Sequence, residues 1–397
     1  MEIKQKPQLH EDWIDPSARD IVRRLQQSGF TSYLVGGCVR DLLAGEHPKD
    51  YDIATTALPE QVRRKIHGAY VIGRRFRLVL VKRGQQQYEV ATFRRESRPE
   101  DFQNAESNGE SVVGDNFFGT PEEDALRRDF TINALFYDPV KNELIDYAKG
   151  VQDVDDRIIR MIGDPARRLE EDPIRILRAL RLSHKLRFSV ENQLRQAMLE
   201  QRQSLQAAVL PRKREEYLKI MRLPHPLAAF MEMFDLGLME VILPGLLPIF
   251  QSPDRLEIFA NHLQKRDSIV QDMSDPIQLY TWFLYAYFRA MEVDLQKLET
   301  QSPEEEEAWA AQNQEMALFF KDQLGLFRAE QGAVMSALSL QKNLQAVESF
   351  KKRGQRRQEA FLRHIYLPLA LRVATSDFLL PSRDLMYWSQ RLNQENI

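Results

Sequence analysis

Cysteine is almost absent from this chain: Cys38 is the single example in 397 residues. One thiol excludes an intrachain disulfide and any Cys-rich zinc site, and it fits a reducing, cytoplasmic setting. Long unbroken apolar runs are missing as well. The greasiest stretch, Leu236 to Phe250, is interrupted by Glu240, Pro244, Gly245 and Pro248, so it reads as buried core around a turn and not as a membrane span. Met1 to Trp13 mixes charged and polar residues without an apolar run, which is the wrong pattern for a secretory signal. Charge of one sign is not in excess either. The formal net charge is −3, so a nucleic-acid partner would have to be held by local Lys/Arg patches and not by the field of the whole molecule. What is present is 43% hydrophobic residues over a length sufficient for two or three domains, the make-up of a soluble globular protein with no membrane partner.

Ile21, Val22 and Leu25 recur at helical spacing between Ser17 and Gln27, with Gly29 as a stop. Strands are predicted at Thr31–Val35, Asp50–Ala54, Arg77–Lys82 and Gln87–Thr92, and Gly36-Gly37 breaks the pattern before a helical start at Val39 to Leu43. The polar stretch from Arg94 to Gly119 is too long for a routine connection and reads as a flexible loop. Glu122 to Leu135 is predicted helical, and a hairpin from Phe136 to Tyr147 closes the sheet. After Val151 the patterns are helical without a convincing strand, and the acidic run Gln301 to Glu307 reads as an exposed turn or linker. The expected architecture is an α/β head with a small mixed sheet over residues 1–150, an all-α neck over 151–220, and an all-α body and tail over 221–397.

Chemistry concentrates in three blocks. The first is Leu34-Val35-Gly36-Gly37-Cys38-Val39-Arg40-Asp41-Leu42-Leu43, followed closely by Lys49-Asp50-Tyr51-Asp52-Ile53-Ala54-Thr55. Gly36 and Gly37 let backbone N–H groups at a helix start approach a triphosphate, and Arg40 adds a fork of donors. Asp50 and Asp52, two apart on a strand, face one side and can hold Mg²⁺. A Gly-Gly turn alone is usually just a turn, and an isolated Asp-x-Asp is usually two solvated acids; their close spacing changes that reading. The second block runs from Glu122 through Arg127-Arg128-Asp129-Phe130-Thr131-Ile132-Asn133-Ala134, where a helix would put Asp129 and Asn133 one turn apart on one face. The third, Glu171-Asp172-Pro173-Ile174-Arg175-Ile176-Leu177-Arg178, offers Pro173 as a first helical residue and Asp172 as an N-cap. It also sets a carboxylate acceptor three residues from a guanidinium donor.

Taken together the blocks resemble the tRNA nucleotidyltransferase and bacterial poly(A) polymerase family, class II of the polymerase-β-like nucleotidyltransferases. Its motifs read LVGGxVRD with a following D-x-D, RRDFTxNA, and EDxxR. The resemblance implies a nucleotidyltransferase head in which Asp50 and Asp52 hold two Mg²⁺ ions. It implies Asp129 as a further catalytic acid, with Glu89 as the rival, and Arg128, Asn133 and Arg178 as contacts to nucleotide sugar or phosphates. Asp172 and Arg175 would read the incoming base. An acceptor beside a donor matches adenine, and cytosine for the same reason, while guanine and uracil present the reverse. A wrong base leaves buried polar groups unpaired at roughly 1–3 kcal/mol each.

Two stretches resemble the poly(A) polymerase branch: Val71-Ile72-Gly73-Arg74-Arg75-Phe76-Arg77-Leu78, with Leu80 where a histidine is usual, and Gly114-Asp115-Asn116-Phe117-Phe118-Gly119-Thr120. The branch grips RNA with a basic tail, and only Lys351-Lys352-Arg353-Gly354-Gln355-Arg356-Arg357 fits, a solvated helix end being the other reading. The expected partners are ATP and the 3′ end of mRNA or another RNA. CCA addition to tRNA is the alternative, and a catalytically silent RNA-binding protein would need damaged acids that this chain does not show. None of the seven histidines is followed by Asp, which argues against an appended phosphohydrolase site.

Overall fold

The computed structural model describes residues 3–5, 9, 11–73, 78–98, 117–293 and 315–395. Residues 74–77, 99–116 and the acidic run Gln301 to Glu307 therefore lie outside the described residues, and with them the middle of the expected polar loop and about half of the two branch signatures. The chain divides into two compact units, residues 1–171 with 186–197, and residues 172–185 with 198–397.

The first unit is built on an eight-stranded mixed sheet. Its strands are β1 (Ile3–Gln5), β2 (Ser32–Val35), β3 (Asp52–Thr55), β4 (Ala69–Ile72), β5 (Leu78–Arg83), β6 (Gln86–Thr92), β9 (Leu135–Asp138) and β10 (Glu143–Asp146), in the order β1-β10-β9-β2-β3-β6-β5-β4. Helix α1 (Pro16–Gln27) starts where Asp15 accepts the Ala18 N–H at 2.9 Å, and it buries Ala18, Ile21, Val22 and Leu25 as the spacing predicts. β2 then passes through Gly36 into helix α2 (Gly37–Leu43). β2 and β3 are antiparallel, whereas β3 and β6 are parallel, with helix α3 (Pro59–Lys65) and the β4–β5 hairpin in the connection. Tyr33, Phe93, Phe136 and Tyr147 pack as a run of tilted and edge-on rings against this sheet.

Four expectations need correction. Asp50 precedes β3, which begins at Asp52, so the two acids are not both on the strand. The two ends of the polar loop are paired, since β7 (Arg94–Arg95) and β8 (Phe117–Phe118) form an antiparallel ladder. Strands do occur beyond Val151: β11 (Ile158–Ile159) and β12 (Ser189–Val190) pair in parallel, two residues each and too short to show alternation. The helix expected over Glu122 to Leu135 ends at Leu126. There the buried Arg168 takes the Arg127 and Arg128 carbonyls at 2.7 and 2.9 Å, and Asp129 Oδ1 accepts the Phe130 N–H at 2.8 Å. These bonds replace helical ones and free Phe130 to become fully buried and to bridge Met161. A single 3₁₀ turn, Thr131–Asn133, leads on to β9, and Gly150 is tucked so closely beneath it that a Cβ would stand 2.2 Å from the Thr131 carbonyl oxygen.

Among the described residues the second unit contains no strand. Its helix Pro276–Ala290 is buried on nearly every side, with Tyr280, Trp282, Phe283, Leu284 and Phe288 in the core, which is why it is apolar all round. Helices Leu210–Met221, Pro253–Leu263 and Arg328–Gln345 also belong to this unit, and a separate cluster around Trp388 joins Leu344, Phe350, Leu367 and Ala370. No described helix is long and apolar enough to cross a membrane.

Candidate active site

The parallel register of β3 and β6 sets Asp52 directly opposite Glu89, and β5 in turn sets Leu80 opposite Glu89. Cross-strand partners share a face of the sheet, so both carboxylates stand on the same side. Asp52 is held up at about 6, first by partial loss of hydration and then by the Glu89 charge, with Arg128 opposing and Asp50 adding to the rise. Cys38 sits on the other flank. Burial pushes its thiol up to about 12, the Asp52 charge adds to the shift, and its Sγ is 3.3 Å from the Val35 carbonyl oxygen, so it is an unreactive packing group. Among the described residues no set of three or more His, Cys, Asp or Glu side chains is gathered as a ready metal cage. Asp50 and Asp52 could supply the one or two protein carboxylates that magnesium takes, its shell being completed by water and substrate phosphates. Mutually repelling acids around Asp52 are the donor set such a cation neutralises.

At the mouth of α2, Gly36 has φ +71°, a conformation that favours glycine, and its N–H donates to the Leu135 carbonyl at 3.1 Å. A Cβ there would stand 3.0 Å from Arg128 Nη1, whereas one on Gly37 would meet Arg40 Nη2 at an ordinary 3.5 Å. Arg128 is held from below by Asp124, whose Oδ2 accepts from Nη2 at 2.8 Å and from Nε at 3.1 Å, and its Nη1 donates to the Asn133 carbonyl at 3.2 Å. Burial opposes ionisation of Asp124, but the Arg128 and Arg127 charges and the Arg94 N–H outweigh it and lower its pKa. Arg40 is buried: Nε and Nη2 donate to Asp41 Oδ1 at 2.9 and 2.6 Å and Nη1 to Asn133 Oδ1 at 2.5 Å. Asn133 Nδ2 donates to Asp129 Oδ1 at 2.9 Å. The contact between Asp129 and Asn133 expected from a helix thus exists without one.

Residues 32–160 match the profile described as the Poly A polymerase head domain, and residues 187–250 match that of the probable RNA and SrmB-binding site of polymerase A. Poly(A) polymerase I of Haemophilus influenzae is 37% identical over 278 residues, covering 68% of this chain and 61% of that protein. The CCA-adding enzyme of Lactobacillus helveticus is 37% identical over 223 residues, covering 56% and 54%. The crystal structure of Bacillus stearothermophilus CCA-adding enzyme in complex with CTP superposes with a TM-score of 0.65 at 24% identity, over 97% of this chain and 84% of that one. The chain belongs to the class II tRNA nucleotidyltransferase and poly(A) polymerase family. The chain spans 61% and 54% of the lengths of the Haemophilus and Lactobacillus relatives, and its fold, a mixed sheet with helices followed by a largely helical region, is that of the Bacillus stearothermophilus structure.

Within this family member, the first two blocks converge in one unit and the third lies in the other. Asp172 precedes helix Ile174–Leu186, and the Arg175 N–H donates to the Asp172 carbonyl at 3.1 Å. The Asp172 carboxylate is paired with Arg212, and Arg178 Nη1 is 4.0 Å from Glu216. Two residues that shape the site escaped the sequence reading. Asp124 lies four before Arg128, a spacing that does signal a helical ion pair. Arg168 clamps Arg127 and Arg128 from a distant segment, and nothing local announces it.

Proposed function

We propose that the protein is a template-independent polynucleotide adenylyltransferase, which adds AMP from ATP to RNA 3′ ends and releases pyrophosphate. The observation that carries the reading is the Asp52–Glu89 register pair with Asp50 close by, on the strand next to the one that enters the Gly36 turn. In the reaction a bond forms between the RNA 3′ oxygen and the α-phosphorus, and the bond from that phosphorus to the bridging oxygen of pyrophosphate breaks. Mg²⁺ held by Asp50 and Asp52, two ions in the full reading, would supply charge neutralisation of the triphosphate and of the attacking oxygen. Glu89, and not Asp129, is the third carboxylate in this proposal, because it shares the face and the field of Asp52, while Asp129 is bonded to Asn133 and the Phe130 N–H. Arg128, aimed by Asp124 past Gly36, is the cation for the phosphates. Arg40 holds Asn133 and Asp41 in place with Nε and one N–H of each terminal nitrogen, and the remaining N–H groups would serve the triphosphate. Asp172 and Arg175 choose the base, with Arg178 near them on the same helix. The head of residues 1–150 would do the chemistry, the neck of 151–220 the base reading, and the body and tail of 221–397 would handle RNA.

A second reading, CCA addition to tRNA, is favoured by the CCA-adding relative and by an acceptor–donor pair that fits cytosine as well as adenine. Poly(A) addition is preferred because the poly(A) polymerase I alignment is longer at equal identity. The test is to incubate the protein with unstructured RNA and with tRNA lacking its end, offering ATP or CTP separately. Long A tails on the unstructured RNA, with CTP unused, are expected. A short product confined to tRNA and dependent on CTP would replace this reading with the second.

A further inference from the structure

Helix Leu367–Ser376 ends in a turn that glycine usually makes. The Phe378 N–H donates to the Thr375 carbonyl at 3.3 Å and the Leu379 N–H to the Ala374 carbonyl at 2.9 Å, while Phe378 itself takes φ +52°. Such a pair of bonds satisfies the last carbonyls of a helix through a left-handed residue, a position where a side chain is strained. The other non-glycine residues with positive φ among the described residues, Asn142, Lys149, Arg157, Arg187 and Glu292, are all polar. Packing does not offset the strain at Phe378, because the residue is 90% exposed. Phe327, also exposed, lies under the Arg214 guanidinium at 4.5 Å, whereas Phe378 has no stacked ring or cation among the described residues.

The ring is nevertheless held in place from both sides. Asp377 before it is fixed by His262, Lys265 and Tyr285, and Leu379 and Leu380 after it pack into the cluster around Trp388. Two cations stand beside that aspartate. Lys265 Nζ donates to Oδ1 and Arg289 Nε is 3.4 Å from Oδ2, whereas the terminal nitrogens of Arg289 have no acceptor among the described residues. The Asp377 carboxylate is buried and the Arg289 side chain is 46% exposed, so solvent next to the ring meets positive charge. A half-open guanidinium near a fully open aromatic face suits single-stranded nucleic acid, with a phosphate on the cation and a base on the ring.

We propose that Phe378 is a stacking platform for one base of single-stranded RNA, with Arg289 and Lys265 taking an adjoining phosphate. The inference rests on the reading that the protein extends RNA, and it adds a contact in the second unit that none of the sequence blocks announced. Stacking on a flat ring is tolerant of base identity, which suits an enzyme that grips its RNA without a template.

The experiment compares wild type, Phe378→Gly, Phe378→Trp and Arg289→Gln. Binding of a fluorescent, unstructured RNA is measured by anisotropy at two salt concentrations, with thermal melts, sedimentation and RNA extension assays alongside. Phe378→Gly is expected to weaken RNA binding about tenfold. The same variant should melt at a higher temperature, because glycine fits the left-handed turn. Phe378→Trp keeps a stacking face and should bind RNA within about twofold of wild type. Arg289→Gln should weaken binding and reduce its salt dependence by the equivalent of about one phosphate contact. A Phe378→Gly protein that melts lower and loses RNA binding, with Phe378→Trp no better, would make the ring a structural element and overturn the inference. Unchanged RNA binding in Phe378→Gly, with loss of a dimer that wild type forms, would overturn it in favour of a contact between copies. If wild type extends RNA and Phe378→Gly binds that RNA as tightly, the inference alone fails. If wild type extends no RNA, the proposed function fails and the inference with it.

Discussion

Gly36 occupies a backbone conformation that side chains rarely adopt, and a methyl group there would press on Arg128 Nη1 from 3.0 Å. Gly36→Ala is therefore expected to lower stability by about 1–2 kcal/mol and to raise the KM for ATP by displacing Arg128, as urea unfolding and steady-state kinetics would show. Gly37→Ala, with ordinary contacts and no positive φ, should be close to neutral in stability. The diglycine, the paired aspartates and the Arg128-Asp129-Asn133 run were legible because chemistry dictates those residue types at short spacing. Glu89 was legible only as a rival, since its pairing with Asp52 comes from the β3–β6 register, which a sequence does not print. Arg40 read as a phosphate fork, and part of that fork holds Asp41 and Asn133.

Helix lengths and strand ends depend on what caps them, and the error over Glu122 to Leu135 shows why. Its apolar residues keep a helical rhythm, but Arg168, some forty positions away, supplies the donors that end the helix at Leu126. In the second unit a comparable long-range tie is made at Asp377, which ends helix Leu367–Ser376. Its Oδ1 accepts from His262 Nε2 at 3.0 Å and from Lys265, while its Oδ2 accepts from Tyr285 and lies 3.4 Å from Arg289 Nε. Burial opposes the charge, but the bonds from His262, Lys265 and Tyr285 prevail and hold the Asp377 carboxyl well below the ordinary carboxylate range. A carboxyl depressed on folding adds stability above its unfolded pKa of about 3.9, and that contribution is lost as pH falls through the folded value. Unfolding free energy measured from pH 6 downward should thus decline below about pH 4. Asp377→Asn should flatten that decline and cost about 2 kcal/mol at pH 7 by leaving Lys265 and Arg289 without their partner. An acid limb unchanged in the variant would assign the loss to other carboxylates.

On the scale of the whole molecule, the order of a sheet-bearing first part and a largely helical remainder was readable from the change in apolar period, while the first compact unit runs on to residue 171 and takes in 186–197. The short strands β11 and β12 were not, because two-residue pairings across distant segments leave no periodicity. The chain aligns with 61% of one poly(A) polymerase and 54% of one CCA-adding enzyme, so shared chemistry is better supported than a shared product. That chemistry is assigned to carboxylates in one unit, and base choice to Asp172 and Arg175 in the other. The most direct test is a single-turnover extension of one RNA by ATP and, separately, by GTP, comparing wild type with Glu89→Gln. Losing the β6 carboxylate should slow both nucleotides in parallel, by about a hundredfold or more, and leave their ratio unchanged. A Glu89→Gln protein that extends RNA at the wild-type rate, or that changes nucleotide preference instead of rate, would contradict the placement of the reaction at the β3–β6 edge.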